Sequence, residues 1–261
     1  MKLAALYVYP VKSARGVAVE ERDVTATGLS GDRAFMVVDE HGAFITQREH
    51  PELARLSAHF LGDALVIEGD DRRPLVIEPD LDGPRVEVVV WNDRVEAVDC
   101  GGLAAGLLTN LTGRLARLVR LTGRRAVDQK YAAPDDIVSF ADGFPILVAT
   151  TASMAAIGER TARGNDARRY RPNLVIEHDV PFAEDAWTEL EIGTVRLALV
   201  KPCSRCSMLD VDPDDGKRDP GVLAAVARLR TDADQHRVYF GVNAIPRALG
   251  RVAVGDDVRA R

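Results

Sequence analysis

Val195-Arg-Leu-Ala-Leu-Val200 runs directly into Lys201-Pro-Cys203-Ser-Arg205-Cys206-Ser-Met208, and Asp210-Val-Asp-Pro-Asp-Asp-Gly216 comes next. The first six residues form a short, mostly apolar run, the pattern of a buried strand. That strand ends in a turn carrying two of the chain's three cysteines, with an arginine between them. A thiolate beside a fixed positive charge is stabilised as a nucleophile, redox partner or metal ligand. Four readings of the pair compete. Structural zinc needs four ligands, and only Cys100 and five histidines without paired spacing (His41, His50, His59, His178, His236) remain, so zinc is disfavoured. A thioredoxin-like dithiol opens a helix inside a βαβ unit, whereas here a strand leads in and an aspartate-rich turn comes after. Two readings stay open: a pair of small buried hydrophobes, and a single thiolate on a metal-containing cofactor, with the arginine and serine meeting the cofactor's anionic groups. A calcium loop beginning at Asp210 is excluded, because its sixth and twelfth positions would be Asp215 and Gly221 rather than glycine and glutamate. A tight turn capped by aspartates and closed by Gly216 is expected instead.

Working outward, the sequence reads as α+β and strand-rich. Leu3–Tyr9, Ala34–Val38, Ala64–Ile67 and Val86–Val90 are strand-like runs separated by Gly, Asp and Pro clusters, the spacing of a barrel or a strongly curved sheet. Two of the separators, Gly69–Pro74 and Pro79–Pro84, read as turns. A helix is expected from Gly102 to Leu111, ended by Gly113. Arg114, Arg117, Arg120, Arg124 and Arg125 alternate with leucine and valine, as in an amphipathic strand or helix edge with solvated arginines. A second helix is expected over 148–161, with Thr150 and Thr151 as N-caps, and then a polar loop from Arg160 to Arg169. Leu174–Ile176 reads as a strand, Pro220–Leu229 as a helix, and Val252–Val258 as a strand pair joined by a Gly-Asp turn. The division between two domains is expected near residue 122, giving 1–122 and 123–261, with the first strand able to cross into the second.

The chain has 261 residues and a net charge of −6, enough length for a sizeable core and the wrong sign for a general nucleic-acid binder. No stretch approaches the ~20 apolar residues of a membrane span, and no secretory signal precedes the first strand. An odd cysteine count without a disulfide framework points to a reducing, cytoplasmic compartment. Elsewhere, Tyr9-Pro-Val-Lys12-Ser13, Gly31-Asp-Arg33 and Arg169-Tyr-Arg171-Pro-Asn173 each place basic or polar side chains at a strand end. With Ser204 and Arg205 they would make a multi-donor pocket, since arginine forks suit phosphate and planar heterocycles. Spacing alone does not bring them together.

These stretches, taken in order, resemble the MOSC-domain proteins, and among them the mitochondrial amidoxime-reducing component and its bacterial relatives. The resemblance rests on Tyr9–Ser13, Gly31–Phe35 with Val37-Val-Asp39, Asp99-Cys-Gly101, Asp142–Ser153, Arg171–Ile176, Phe182–Trp187 with Ile192-Gly193, and Cys203–Cys206 with Asp212–Gly216. It implies an N-terminal β-barrel domain and a MOSC β-barrel domain with peripheral helices, together enclosing a molybdenum cofactor. It implies Cys206, not Cys203, as the one protein ligand to the metal. It also implies Lys12, Ser13, Arg33, Thr150, Thr151, Arg171, Asn173, Ser204 and Arg205 as contacts to the pterin or its phosphate. Asn243 stands where mitochondrial members place a tyrosine on the substrate side. Asp142 is the candidate acid by position, a turn role being the alternative. The implied activity is reduction of small N-hydroxylated substrates, the oxygen leaving as water. Electrons would come from a separate ferredoxin, flavoprotein or cytochrome b5-like donor, because no further cysteine cluster for an iron–sulfur domain exists; the N-terminal membrane anchor of the mitochondrial members is a further expected difference. The alternative is a non-catalytic carrier of the cofactor or a sulfur-transfer protein.

Overall fold

The apolar runs pair into four sheets in the computed structural model, which describes residues 1–70, 73–78 and 81–261. Asp71 and Arg72 of one expected turn, and Pro79 and Asp80 of the other, lie outside the described residues. The largest sheet has nine strands. Its path runs Val258–Ala260, Glu189–Ile192, Val195–Ser204, Arg237–Ala248, Ile146–Thr150, Leu174–Ile176, Leu3–Val8 and Val17–Val19, with Thr231–Asp232 paired to Arg237–Ala248 off the path. Every pairing is antiparallel except that of Ile146–Thr150 with Leu174–Ile176. A four-stranded sheet joins Phe35–Val38, Arg117–Leu121, Asp93–Asp99 and Arg85–Val90, and a three-stranded one joins Ser57–Leu61, Ala64–Glu68 and Leu75–Ile77. The fourth pairs Glu21–Thr25 with Gly28–Leu29 and with Gly250–Ala253. The fold is therefore α+β and strand-rich.

The first strand belongs to the large sheet, in register Leu3↔Ile176 and Leu6↔Leu174. Leu3, Leu6 and Val8 are fully buried in that sheet's core with Ile146, Leu197 and Val242, each contributing on the order of 1.5–3 kcal/mol. The chain then leaves this sheet and meets the four-stranded one within four residues. Phe35 N–H donates to Pro10 O at 3.0 Å, and Lys12 N–H to Phe35 O at 2.8 Å. Lys12 and Ser13 are thereby fixed on the seam between the two sheets.

Four expectations are corrected. Ile146–Thr150 is a fully buried strand, so the helix expected from residue 148 begins at Thr151 and runs to Gly158; an unbroken apolar run carries no period to mark the change. The strands Gly250–Ala253 and Val258–Ala260 do not pair with each other. The turn at Gly255 (φ 92°) carries the chain from one sheet to another. The polar 160–169 stretch ends in a short helix, Ala167–Tyr170, capped by Asp166. The arginine run is a strand over Arg117–Leu121, as one expectation had it, but Arg125 is only 5% exposed rather than solvated. Its Nε donates to Asp93 at 2.6 Å, and its terminal nitrogens donate to the backbone oxygens of Ser139 (3.1 Å), Ala141 and Asp142 (3.2 Å). One buried guanidinium thus holds the loop that delivers Asp142. The expected helices at Gly102 and Pro220 run Gly102–Thr112 and Gly221–Arg230, the first closed by Gly113 at φ 68°.

If the first strand is integral to the large sheet, Leu6→Ala lowers the unfolding free energy by about 2–5 kcal/mol in chemical denaturation. Leu103→Ala, at 78% exposure, moves it by less than about 0.5 kcal/mol.

Candidate functional site

The cysteine turn is built by a strand that loses its register. Val195–Ser204 pairs with Arg237–Ala248, with irregularities between Leu199 and Lys201 and between Pro202 and Ser204. Pro202 has no N–H to give the ladder, and such irregularities bend a strand and re-aim its side chains. Arg205 N–H returns to Val238 O at 2.8 Å, and Cys206 O accepts from Leu209 N–H at 3.2 Å. The two sulfurs end in different surroundings. Cys203 Sγ accepts from Arg205 Nη1 at 3.2 Å. Cys206 Sγ is half-buried and has no hydrogen-bond partner among the described residues. Downstream, Asp212 Oδ1 accepts from Asp214 N–H at 3.0 Å and Gly216 takes φ 74°, the capped turn expected of this stretch. Arg15 donates to Pro213 O (3.0 Å) and Asp214 O (2.6 Å), and buried Arg169 to Asp212 Oδ2 (2.6 Å), clasping the turn from two sides. Among the described residues no three His, Cys, Asp or Glu side chains are close enough to share a metal ion.

Cys206 lines a cleft at the seam, enclosing about 810 Å³ of space open to solvent. Two guanidiniums pack on Tyr9: the Cζ atoms of Arg33 and Arg171 each lie 4.2 Å from its ring centroid. Gly16 allows the chain to close on that ring, since a Cβ there would fall 2.2 Å from Tyr9 Cε1. Arg33 pairs with buried Asp32 and donates to Asn173 Oδ1 at 3.2 Å. Arg171 donates to Ala14 O at 2.6 Å and makes no ion pair among the described residues. Burial, and then the charge of Arg33, push Arg171 down to about 10. Six non-glycine residues among those described have left-handed backbone, and four of them, Ser13, Arg33, Trp91 and Arg171 (φ 47–64°), stand around this cleft or its mouth. Backbone strain gathered at one place marks a geometry held for a purpose.

Lys12 is 5% exposed; its ammonium pairs with Asp142 and lies 5.3 Å from the Phe44 ring centroid and 5.8 Å from that of Trp91. Burial lowers the Lys12 pKa, with Asp142 opposing. The wall of the cleft acts to raise the Asp142 pKa. The Lys12 charge and hydrogen bond, with the Trp91 indole N–H at 3.3 Å, outweigh it and hold the carboxyl well below the usual range. The carboxylate stays open to water on one side, its side chain 72% exposed. Where the sequence offers Asp142 as a candidate acid or a turn residue, the structure makes its carboxylate the ion-pair partner that fixes Lys12.

Of the residues singled out in the sequence, the cleft brings together Lys12, Ser13, Arg33, Asp142, Arg171, Asn173, Ser204, Arg205, Cys206 and Asn243. Asn173 is 1% exposed and its amide is spent on structure, accepting from Leu147 N–H (3.1 Å) and donating to Tyr7 O (3.2 Å). Asn243 donates to Lys201 O at 3.2 Å. Thr150 and Thr151 do not reach the cleft, which corrects their place among the cofactor contacts. Thr150 is wholly buried, caps the Thr151–Gly158 helix by accepting from Ser153 N–H, and donates to Glu184 Oε2 at 2.9 Å. Thr151 donates to His178 O at 3.2 Å. The sequence reading missed Phe44, Trp91, Arg48 and Arg125. An aromatic in the turn Trp91-Asn-Asp93, where strands usually change direction on small polar residues, was the available signal for Trp91.

The MOSC N-terminal beta barrel domain matches residues 1–114, and the MOSC domain matches residues 135–259. Mitochondrial amidoxime-reducing component 1 of Homo sapiens is 32% identical over 277 residues, spanning 98% of this chain and 82% of that protein. The chain belongs to the MOSC-domain family. Mitochondrial amidoxime reducing component 2 of Macaca fascicularis is 31% identical over 98% of this chain and 82% of its own length. Molybdenum cofactor sulfurase of Danio rerio is 30% identical, covering 92% of this chain but only 31% of the sulfurase.

Titration of the protein with inorganic phosphate separates the cleft residues from the threonines. Arg171→Gln weakens binding by about tenfold or more, the loss of a charged hydrogen bond. Thr150→Ala leaves binding unchanged and lowers stability by about 1–3 kcal/mol. Glu184 offers a second check. Burial raises its pKa above the ordinary 4.5 despite Ser153 and Thr150. Its stabilisation is complete below that value and lost as pH rises through the folded-state value. Stability measured against pH therefore falls over that window in the native chain and is flatter in Glu184→Gln.

Proposed function

We propose that the protein is a molybdenum-cofactor-dependent reductase of small N-hydroxylated compounds, with Cys206 as the single protein ligand to the metal. The observation that carries this reading is an open thiol in a cleft whose cations exceed its carboxylates. Lys12, Arg33, Arg171 and Arg205 face Asp142, and Asp32 behind Arg33. A phosphate-bearing pterin fits this donor set: Arg171 has no carboxylate of its own, and Arg205 Nε is buried without a partner. A thiolate is a soft ligand suited to a dithiolene-bound metal. When bound, the cofactor would supply the two-electron chemistry.

The chain's own residues do the rest. Arg33 and Arg171, pinned to Tyr9, present their N–H groups to the phosphate, with Ser13 beside them. Lys12, fixed by Asp142, adds a buried N–H donor whose charge is largely answered by that carboxylate. Arg205 divides its terminal nitrogens between Cys203 Sγ and Tyr170 O (2.6 Å), which keeps positive charge next to the Cys206 thiolate. The reaction balances as the N-hydroxyl compound plus two electrons and two protons giving the reduced nitrogen compound and water. The electrons come from a separate donor protein.

The test is reduction of benzamidoxime by the cofactor-loaded protein with a chemical electron donor. Cys206→Ala drops turnover to background and alters the molybdenum–sulfur signal in X-ray absorption. Cys203→Ala retains most of the activity. No turnover at full molybdenum content would sink the reading. A persulfide on either cysteine, or transfer of cofactor to an apo-enzyme in place of turnover, would mark a carrier or sulfur-transfer protein.

A further inference from the structure

The cleft does not stop at Cys206. It opens outward into a second, broader hollow whose walls include Arg48, Trp91, Asn243, Lys201 and Phe144. Two assemblies of the same kind occur at this mouth. In one, the Arg48 guanidinium lies 4.5 Å from the Trp91 ring centroid. In the other, Lys201 Nζ lies 4.8 Å from the Tyr131 ring centroid and 5.6 Å from that of Phe144, the two rings meeting edge to face at 5.8 Å. Each cation is held against aromatic surface, and neither makes an ion pair or a hydrogen bond through its charged end among the described residues.

Two of the acids on the same wall are paired, Asp142 with Lys12 and Asp93 with Arg125. The third, Asp128, accepts only the Lys130 backbone N–H at 3.0 Å and keeps its charge. Among the described residues the mouth therefore carries two cations without a carboxylate partner, Arg48 and Lys201, against one unpaired carboxylate, and each cation lies on flat aromatic surface. Trp91 is 39% exposed and held at φ 57°, tied to Asp142 by its indole N–H. An exposed, strained aromatic tethered at one edge is a platform with a fixed tilt. Free in water, Arg48 and Lys201 would be ordinary surface charges. Here both line the hollow that also reaches Cys206.

We propose that this outer hollow is a substrate subsite that selects N-hydroxylated compounds built on a flat ring with a carboxylate substituent, the carboxylate meeting Arg48 and Lys201. The inference rests on the reductase reading and deepens it. Asn243 and Phe144 line both the inner cleft and the hollow, so a ring lying there spans the distance between the carboxylate and the reacting nitrogen. Arg48 can bind a carboxylate through two parallel N–H bonds, while Lys201 acts as a point charge.

The experiment compares benzamidoxime with 4-carboxybenzamidoxime on the cofactor-loaded protein, using a chemical electron donor so that no partner protein is involved. The expected result is a KM about tenfold lower for the carboxylated compound, a preference that shrinks as salt is raised. Arg48→Gln and Lys201→Gln each reduce that preference, through KM rather than kcat. Equal KM values for the two compounds, or a preference untouched in both variants, would overturn the proposal. Turnover of neither compound is a failure of the reductase reading, and the subsite is then judged by binding alone. In that case 4-carboxybenzamidine quenches tryptophan fluorescence in the native protein, and the quench is lost in Trp91→Phe and weakened in Arg48→Gln. Absence of such quenching overturns the subsite. Loss of electron transfer from a protein donor in the variants, with substrate preference intact, would reassign the two cations to a donor interface and overturn it as well.

Discussion

Two like charges held on one ring set the terms for the whole site. Arg33 arrives from the turn before Phe35–Val38, and Arg171 from the end of the Ala167–Tyr170 helix, three residues before Leu174–Ile176, so the two approach from beside different sheets and meet at Tyr9. Bringing two guanidiniums together out of water is unfavourable unless their charge is answered. Asp32 answers one, and its other oxygen accepts from Tyr9 N–H at 2.8 Å. The second charge is left over. The strained backbone at Ser13, Arg33 and Arg171, the close approach at Gly16 and the hydrogen bonds of Asn173 all serve to keep that surplus in place.

The cysteine turn obeys a different logic. Cys203 lies on the strand, within reach of Arg205, while Cys206 lies just past it, where the chain has already turned. Rigidity resides less in the sulfur than in the aspartate turn downstream of it. Arg15, Arg163, Arg168 and Arg169 all reach into the 212–214 segment, and Asp210 accepts from Leu223 N–H at 2.8 Å to start the last helix. The aspartates that resemble a calcium loop in sequence are spent on fixing the position of one thiol.

Much of the architecture was legible from residue patterns, because strands of β-branched residues and helices with glycine or threonine at their ends carry local signals. Leu174–Ile176, Gly102–Thr112 and the strand before Cys203 are of this kind. What the patterns could not convey was pairing. Nothing local tells Val258–Ala260 to join Glu189–Ile192 rather than Gly250–Ala253, or separates a buried apolar strand from the helix that continues it at Thr151. The site was legible in its charged residues and not in its aromatics. Arginines beside glycine or proline at strand ends stand out in a sequence, whereas Phe44 and Trp91 read as ordinary core or turn until a lysine is found between them. Thr150 shows the reverse error. A hydroxyl next to a motif looked like a ligand contact, and its hydrogen bonds were already committed to a helix end and a buried carboxyl.

The placement of the first strand in the nine-stranded sheet also governs how the molecule assembles in time. Leu3–Val8 has no partner on one side until Leu174–Ile176 exists, and Glu21–Thr25 waits for Gly250–Ala253; Asp23 and Arg251, which pair there, are 228 residues apart. Contacts of such separation form late, because the loop they close must be ordered first. As the chain emerges from the ribosome, the four-stranded sheet can form from residues 35–121, but the cleft cannot. Tyr9, Lys12 and Ser13 hang from a strand that docks only after the later strands are made. Completion of the cleft is thereby placed after synthesis, as one of the last events in folding, and capture of the proposed cofactor would come later still.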